Sequence, residues 1–162
     1  MRGKLHINGE WHSFHADPAT PLHRVLREQI GLTGAKDVCG EGFCGACLVE
    51  VEGEPVAACL LPVALAECTQ IVTIEGLYHD PVGRRVMAAL EAEDAVQCGM
   101  CFPGMVMTLT HLLKTDPTTD REKVKHALVG NICRCTGYER IVSTACRAAK
   151  AMAEADVREE TA

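Results

Sequence analysis

The chain has 162 residues, 22 of them acidic and 16 basic for a net charge of −6, and ten are cysteine. That charge, with no basic stripe and only three Phe, two Tyr and one Trp, excludes a general nucleic-acid binder, and no apolar run approaches the roughly 20 residues that span a bilayer. The N-terminus MRGKLHINGEW lacks the apolar stretch of a signal peptide, so the thiols are expected in a reducing cytoplasm, as metal ligands rather than disulfides.

Residues 4–7 and 10–15 flank Asn8-Gly9, a pair that takes positive φ readily, and predict a β-hairpin. Thr20 is the expected N-cap of a helix with Pro21 at its first position. Leu22, Val25, Leu26 and Ile30 form its apolar stripe, and Gly31 ends it. The stretch CGEGFCGAC follows, with Cys39, Cys44 and Cys47, and Cys59 comes after eleven intervening residues. Residues 46–51 and 55–60 read as strands around Glu52-Gly53, and 71–74 as a last strand.

The period changes after Gly76. Residues 84–92 and 103–113 have helical apolar spacing, Thr119-Asp-Arg-Glu122 predicts a capping box that opens a third helix, and 139–154 read as a fourth. Residues 77–83, with Pro81 and Gly83, read as a linker. The expected fold is α+β: a β-grasp domain over 1–76, an all-α four-helix domain over 84–155, and a solvated acidic tail over 156–162.

The spacing Cys-x4-Cys-x2-Cys-x11-Cys is that of a plant-type 2Fe-2S site. Four thiolates must converge on a sulfide-bridged iron pair, and Gly40, Gly42 and Gly45 let the backbone wrap it. Inward-facing N–H groups then stabilise the anionic cluster. The alternatives are buried structural cysteines or a four-cysteine zinc knot, which usually shows two Cys-x2-Cys pairs. A second quartet, Cys98, Cys101, Cys133 and Cys135, falls at two helix junctions that can meet at one end of a bundle. There Gly99, Gly104 and Gly137 relax the loops. Cys98-x2-Cys101 by itself also fits a redox pair or half a zinc site, but Cys133-x-Cys135 suits a two-iron cluster better than one tetrahedral zinc. Cys68 and Cys146 lie outside both quartets, Cys146 as a small buried hydrophobe. Met100, Met105 and Met107 are expected in the core.

Together, CGEGFCGAC with Cys59 and QCGMCFPGM with GNICRCTGY resemble the iron–sulfur subunit of the molybdenum hydroxylases, the xanthine oxidase, aldehyde oxidoreductase and carbon monoxide dehydrogenase type. The resemblance spans about Leu5 to Ala151. It implies an electron-transfer subunit, catalytically incomplete alone and with no catalytic residues of its own. A large subunit would oxidise substrate at a molybdopterin-type molybdenum cofactor. Electrons would pass through the cluster of Cys98, Cys101, Cys133 and Cys135, then that of Cys39, Cys44, Cys47 and Cys59, to FAD in a medium subunit or to a haem subunit. Gln97 and Cys135 match positions against the pterin. The resemblance further implies a dimer of heterotrimers and a second-quartet cluster that lies the deeper of the two. Glu41-Gly42 leans toward purine and N-heterocycle oxidation, with aldehydes as the other substrate class. Leu48 and Phe102 stand where the family more often has Thr. A stand-alone ferredoxin-like shuttle and a zinc-stabilised interaction module are the competing readings.

Overall fold

The computed structural model describes residues 1–160, with side chains through Glu154. Strands β1 (Arg2–Ile7) and β2 (Glu10–His15) pair antiparallel, Ile7 opposite Glu10. Asn8 and Gly9 make the turn at φ 52° and 88°, as a two-residue hairpin loop needs to match strand twist. Along β1 the buried positions Leu5 and Ile7 alternate with more open ones, so one face of the hairpin closes the core.

Helix α1 (Leu22–Val25) passes directly into a π-helical stretch, Leu26–Ile30, which Gly31 ends at φ 84°. Thr20 does not cap it. The preceding residue, Pro21, is extended, and the start is held by tertiary contacts: Leu22 N–H donates to the Leu61 carbonyl and Thr20 carbonyl accepts from Val63 N–H, both at 2.8 Å. Strands β3 (Leu48–Val51), β4 (Glu54–Ala57) and β5 (Gln70–Val72) complete a five-stranded mixed sheet in the order β2-β1-β5-β3-β4. β1 and β5 run parallel, while β3 is antiparallel to both its neighbours. Pro55 is tolerated because β4 is an edge strand. β4 ends at Ala57, not at 60, because Leu60 N–H turns back to the Ala57 carbonyl at 2.9 Å.

Among the described residues the second half has four α-helices: α2 (Pro81–Ala92), α3 (Phe102–Thr115), α4 (Arg121–Ala127) and α5 (Glu139–Glu160). Residues 77–83 are ordered into it. Gly76–His79 is a 3-10 turn, Leu77 is buried in the helical core, and Asp80 caps α2 by accepting from Gly83 N–H at 2.8 Å. α4 starts one residue later than the predicted box: Asp120, not Thr119, accepts from Lys123 N–H at 2.9 Å, and the Thr119 side chain is buried instead. α5 continues through Glu160, past the expected start of the tail; residues 161 and 162 lie outside the described residues.

Each half has its own core. Leu5, Ile7, Leu22, Leu26, Val49 and Ile71 centre the first; Leu90, Met105, Leu109, Leu113 and Ile141 centre the second. Leu48, Val72 and Ile74 leave the sheet side to pack on the helical core, so apolar burial welds the halves next to the cysteine loops. Met105 and Met107 are buried as expected, but Met100 is 49% exposed, because it lies in the Cys98–Cys101 loop and not on a helix.

Candidate metal centres

All ten cysteines are free thiols. In the first loop Gly40, Gly42 and Gly45 take φ of 67°, 78° and 71°, which turns successive N–H groups inward. Glu41 N–H points at Cys39 Sγ at 3.4 Å, and that donor holds the Cys39 thiol down to about 6. Cys44 lies within hydrogen-bonding reach of Cys39 and is pushed up, first by burial. Cys47 faces Cys59 and is pushed up to about 12 by burial. Cys44, Cys47 and Cys59 are buried, and Cys39 is half-buried.

The second quartet assembles the same way from the two helix junctions. Cys135 Sγ donates to Cys98 Sγ at 3.5 Å. The Met100 N–H pulls Cys98 down, while the Cys98 sulfur raises Cys135. Cys101, pushed up to about 12 by burial, faces Cys133. Burial also raises Cys133, but the Thr136 hydroxyl at 3.2 Å and nearby N–H groups outweigh it and leave that thiol below its ordinary value.

Both sets therefore gather two by two: Cys39 with Cys44 and Cys47 with Cys59, then Cys98 with Cys135 and Cys101 with Cys133. Among the described residues no three or more His, Cys, Asp or Glu side chains converge on one metal-ion position. A two-iron cluster needs two thiolates per iron. Pairwise gathering, with backbone N–H groups aimed at sulfur, fits 2Fe-2S clusters.

Gln97 Nε2 donates to the Cys135 carbonyl at 3.2 Å, so both residues expected against a pterin meet at one exposed spot. The depth expected for the second quartet is not supplied by this chain. Cys98 and Cys135 are exposed, and Met100 and Ile132, in the two loops that carry this quartet, are apolar and open. The loops themselves touch: Ile132 N–H donates to the Cys44 carbonyl at 2.9 Å, one peptide from Cys133.

The two halves match two family models, the 2Fe-2S iron-sulfur cluster binding domain over residues 5–69 and the [2Fe-2S] binding domain over 73–147. The nicotinate dehydrogenase small FeS subunit of Eubacterium barkeri is 41% identical over 85% of this chain and 87% of its own. The xanthine dehydrogenase iron-sulfur-binding subunit of Escherichia coli O157:H7 is 44% identical over 85% and 87%. This chain belongs to the iron–sulfur subunits of the molybdenum hydroxylases. The fold agrees: quinoline 2-oxidoreductase from Pseudomonas putida 86 superposes with a TM-score of 0.87 at 37% identity, covering 93% of this chain and 94% of that one. As a molybdenum hydroxylase small subunit it carries two 2Fe-2S domains and serves electron transfer within a multi-subunit oxidoreductase. No described helix is long and apolar enough to cross a membrane.

In this small subunit the two departures at Thr positions have a packing reason: Leu48 and Phe102 both rest on the helical core. Cys146 packs there too, while Cys68 is exposed at φ 62°. Sequence reasoning missed the residues that brace the second loop. Tyr138 Oη accepts from Cys133 N–H and donates to the Asn131 carbonyl, both at 2.8 Å. Tyr138 stood in the quoted CTGY motif, but its φ of 66°, which aims the ring back at the loop, has no signal in the sequence.

Proposed function

We propose that Cys39, Cys44, Cys47 and Cys59 hold one 2Fe-2S cluster, that Cys98, Cys101, Cys133 and Cys135 hold the other, and that Gln97 and Cys135 face a molybdopterin-type cofactor in a large partner subunit. When bound, such clusters supply one-electron acceptor and donor chemistry. The chain's residues orient the thiolates, aim N–H donors at sulfur and keep water from the first quartet. The observation that carries this reading is the pairwise meeting of the thiols, with Cys47 and Cys59 buried together, Cys39–Cys44 and Cys101–Cys133 each with one buried member, and Cys98 with Cys135 left open.

The open face needs a cover. Exposed apolar groups around a thiolate pair, with the Gln97 amide beside them, fit a large subunit that excludes water there. At the other quartet the acceptor is a medium FAD-binding subunit, or a haem subunit. The substrate is a purine or N-heterocycle, or an aldehyde. The assembly is a dimer of heterotrimers in the cytoplasm, with 1–76 as one cluster domain and the helices from Pro81 onward as the other. Metal and sulfide analysis of the purified complex tests the reading: about four irons and four sulfides per chain are expected, with a large molybdenum subunit co-eluting. A colourless zinc protein, or a red monomer without partners, would overturn it.

A further inference from the structure

The Cys44–Cys47 loop, the first turn of α3 and residues 130–133 meet where no side chain fits between their backbones. A Cβ on Gly104 would strike the Gly45 carbonyl, and one on Gly45 would strike the Gly130 carbonyl and the Asn131 amide. Asn131 fills this junction and is 3% exposed. Its N–H donates to the Leu128 carbonyl at 2.9 Å, its carbonyl accepts from Tyr138 Oη at 2.8 Å, and its Oδ1 accepts from Thr108 Oγ1 at 2.9 Å. These bonds all belong to the helical half. Only Nδ2 is left over, buried and without a partner, and it faces Gly45 of the ferredoxin half.

We infer that Asn131 is the positioning residue that fixes the two cysteine quartets relative to one another. The backbone bonds hold residue 131 in the helical half, and the Thr108 hydroxyl, donating to Oδ1, sets the orientation of the carboxamide. It then presents its N–H groups to the Gly45 peptide beside the Ile132–Cys44 bond. A carboxamide is the fitting group, since it accepts on one side and turns an uncharged N–H face toward the Gly45 backbone on the other within one planar unit. Asp has the same shape, but it would bring negative charge against the Gly45 and Gly130 carbonyls. Were the role purely local, only the Cys133–Cys135 loop would depend on Asn131.

The inference rests on the proposed ligand sets, so iron and sulfide content of the assembled complex is measured first; zinc, or half the expected iron, in the unaltered protein would fail that reading and this one with it. With content confirmed, both clusters are reduced, and their mutual magnetic splitting in EPR, which depends on separation and orientation, is compared among variants. Asn131→Asp is expected to change the splitting and to shift the reduction potential of the first-quartet cluster. Thr108→Val, which frees the carboxamide to rotate, is expected to do so less, and Thr108→Ser to restore the original spectrum. Unchanged splitting and unchanged first-cluster potential in Asn131→Asp at full iron content would reduce Asn131 to a local brace. If Asn131→Asp takes up no iron, Thr108→Val decides by the same splitting, and an unaltered spectrum there overturns the inference.

Discussion

The carbonyl of Cys44 accepts a hydrogen bond from the amide of Ile132 at 2.9 Å, and this bond joins the two cysteine loops through their backbones. Because Ile132 precedes Cys133, a cysteine of each quartet lies at either end of a path of one hydrogen bond and a few covalent ones. The contact depends on close approach at Gly45 and Gly104.

Gly104→Ala is expected to push α3 from the Gly45 carbonyl. Overpacking of this kind costs about 1–3 kcal/mol. Gly130→Ala is the control, since a Cβ there meets nothing within 4 Å. Thermal melts of the two variants, with the first-quartet visible spectrum, check this; equal melting points would show that the junction tolerates the methyl.

Cys44→Ser and Cys135→Ser are expected to interrupt electron flow at different stages. In the first variant substrate still reduces molybdenum and the second-quartet cluster in a single turnover, while transfer to the acceptor slows. In the second, substrate-derived electrons fail to reach the first-quartet cluster. Rapid-freeze EPR of the assembled complexes follows both signals; normal reduction of the first-quartet cluster in the Cys135 variant would refute this order.

Tyr138→Phe removes the hydroxyl shared by Cys133 N–H and the Asn131 carbonyl. Two part-buried backbone groups lose a partner, at about 1–3 kcal/mol. Iron release to a chelator is expected to accelerate from the second quartet alone, leaving the slower phase of the first quartet unchanged.

Burial raises the Asp80 carboxyl, but the Lys114 ammonium at 2.6 Å and the Gly83 N–H outweigh it and hold it below its ordinary 3.8. A carboxyl lower in the folded state than in the unfolded one stabilises above pH 3.8 and loses that contribution as pH falls through the folded value. Asp80→Asn keeps a good N-cap and loses the ion pair, worth about 0.5–1 kcal/mol for a partly exposed pair. Denaturant melts are expected to show a gap between the proteins near neutral pH that closes below pH 3.8; a gap constant with pH would assign the effect to the cap.

Much of the fold could be read locally. Asn8-Gly9 announced the hairpin because its backbone preference acts within two residues, and the change from alternating to helical apolar spacing after Gly76 marked the second half. The errors fell where distant chain outbid local preference. Thr20 yielded to the pairing of 20–22 with 61–63, the capping box slid by one because Thr119 is needed inside, and the supposed linker was drawn in by burial of Leu77.

The cysteine spacings, the glycines among them and the net negative charge were fixed by residue identity, since ligand chemistry is carried by side-chain type and short-range reach. Which thiol meets which was not. The pairing of Cys98 with Cys135 across 36 intervening residues and the exposed face beside Gln97 arise only when the helical half packs its own core, and the contact of Cys44 with Ile132 only when the two cores dock. Such placement depends on the summed packing of Leu48, Val72 and Ile74 on the helical core and on backbone approach at Gly45 and Gly104, and no single residue or spacing encodes it.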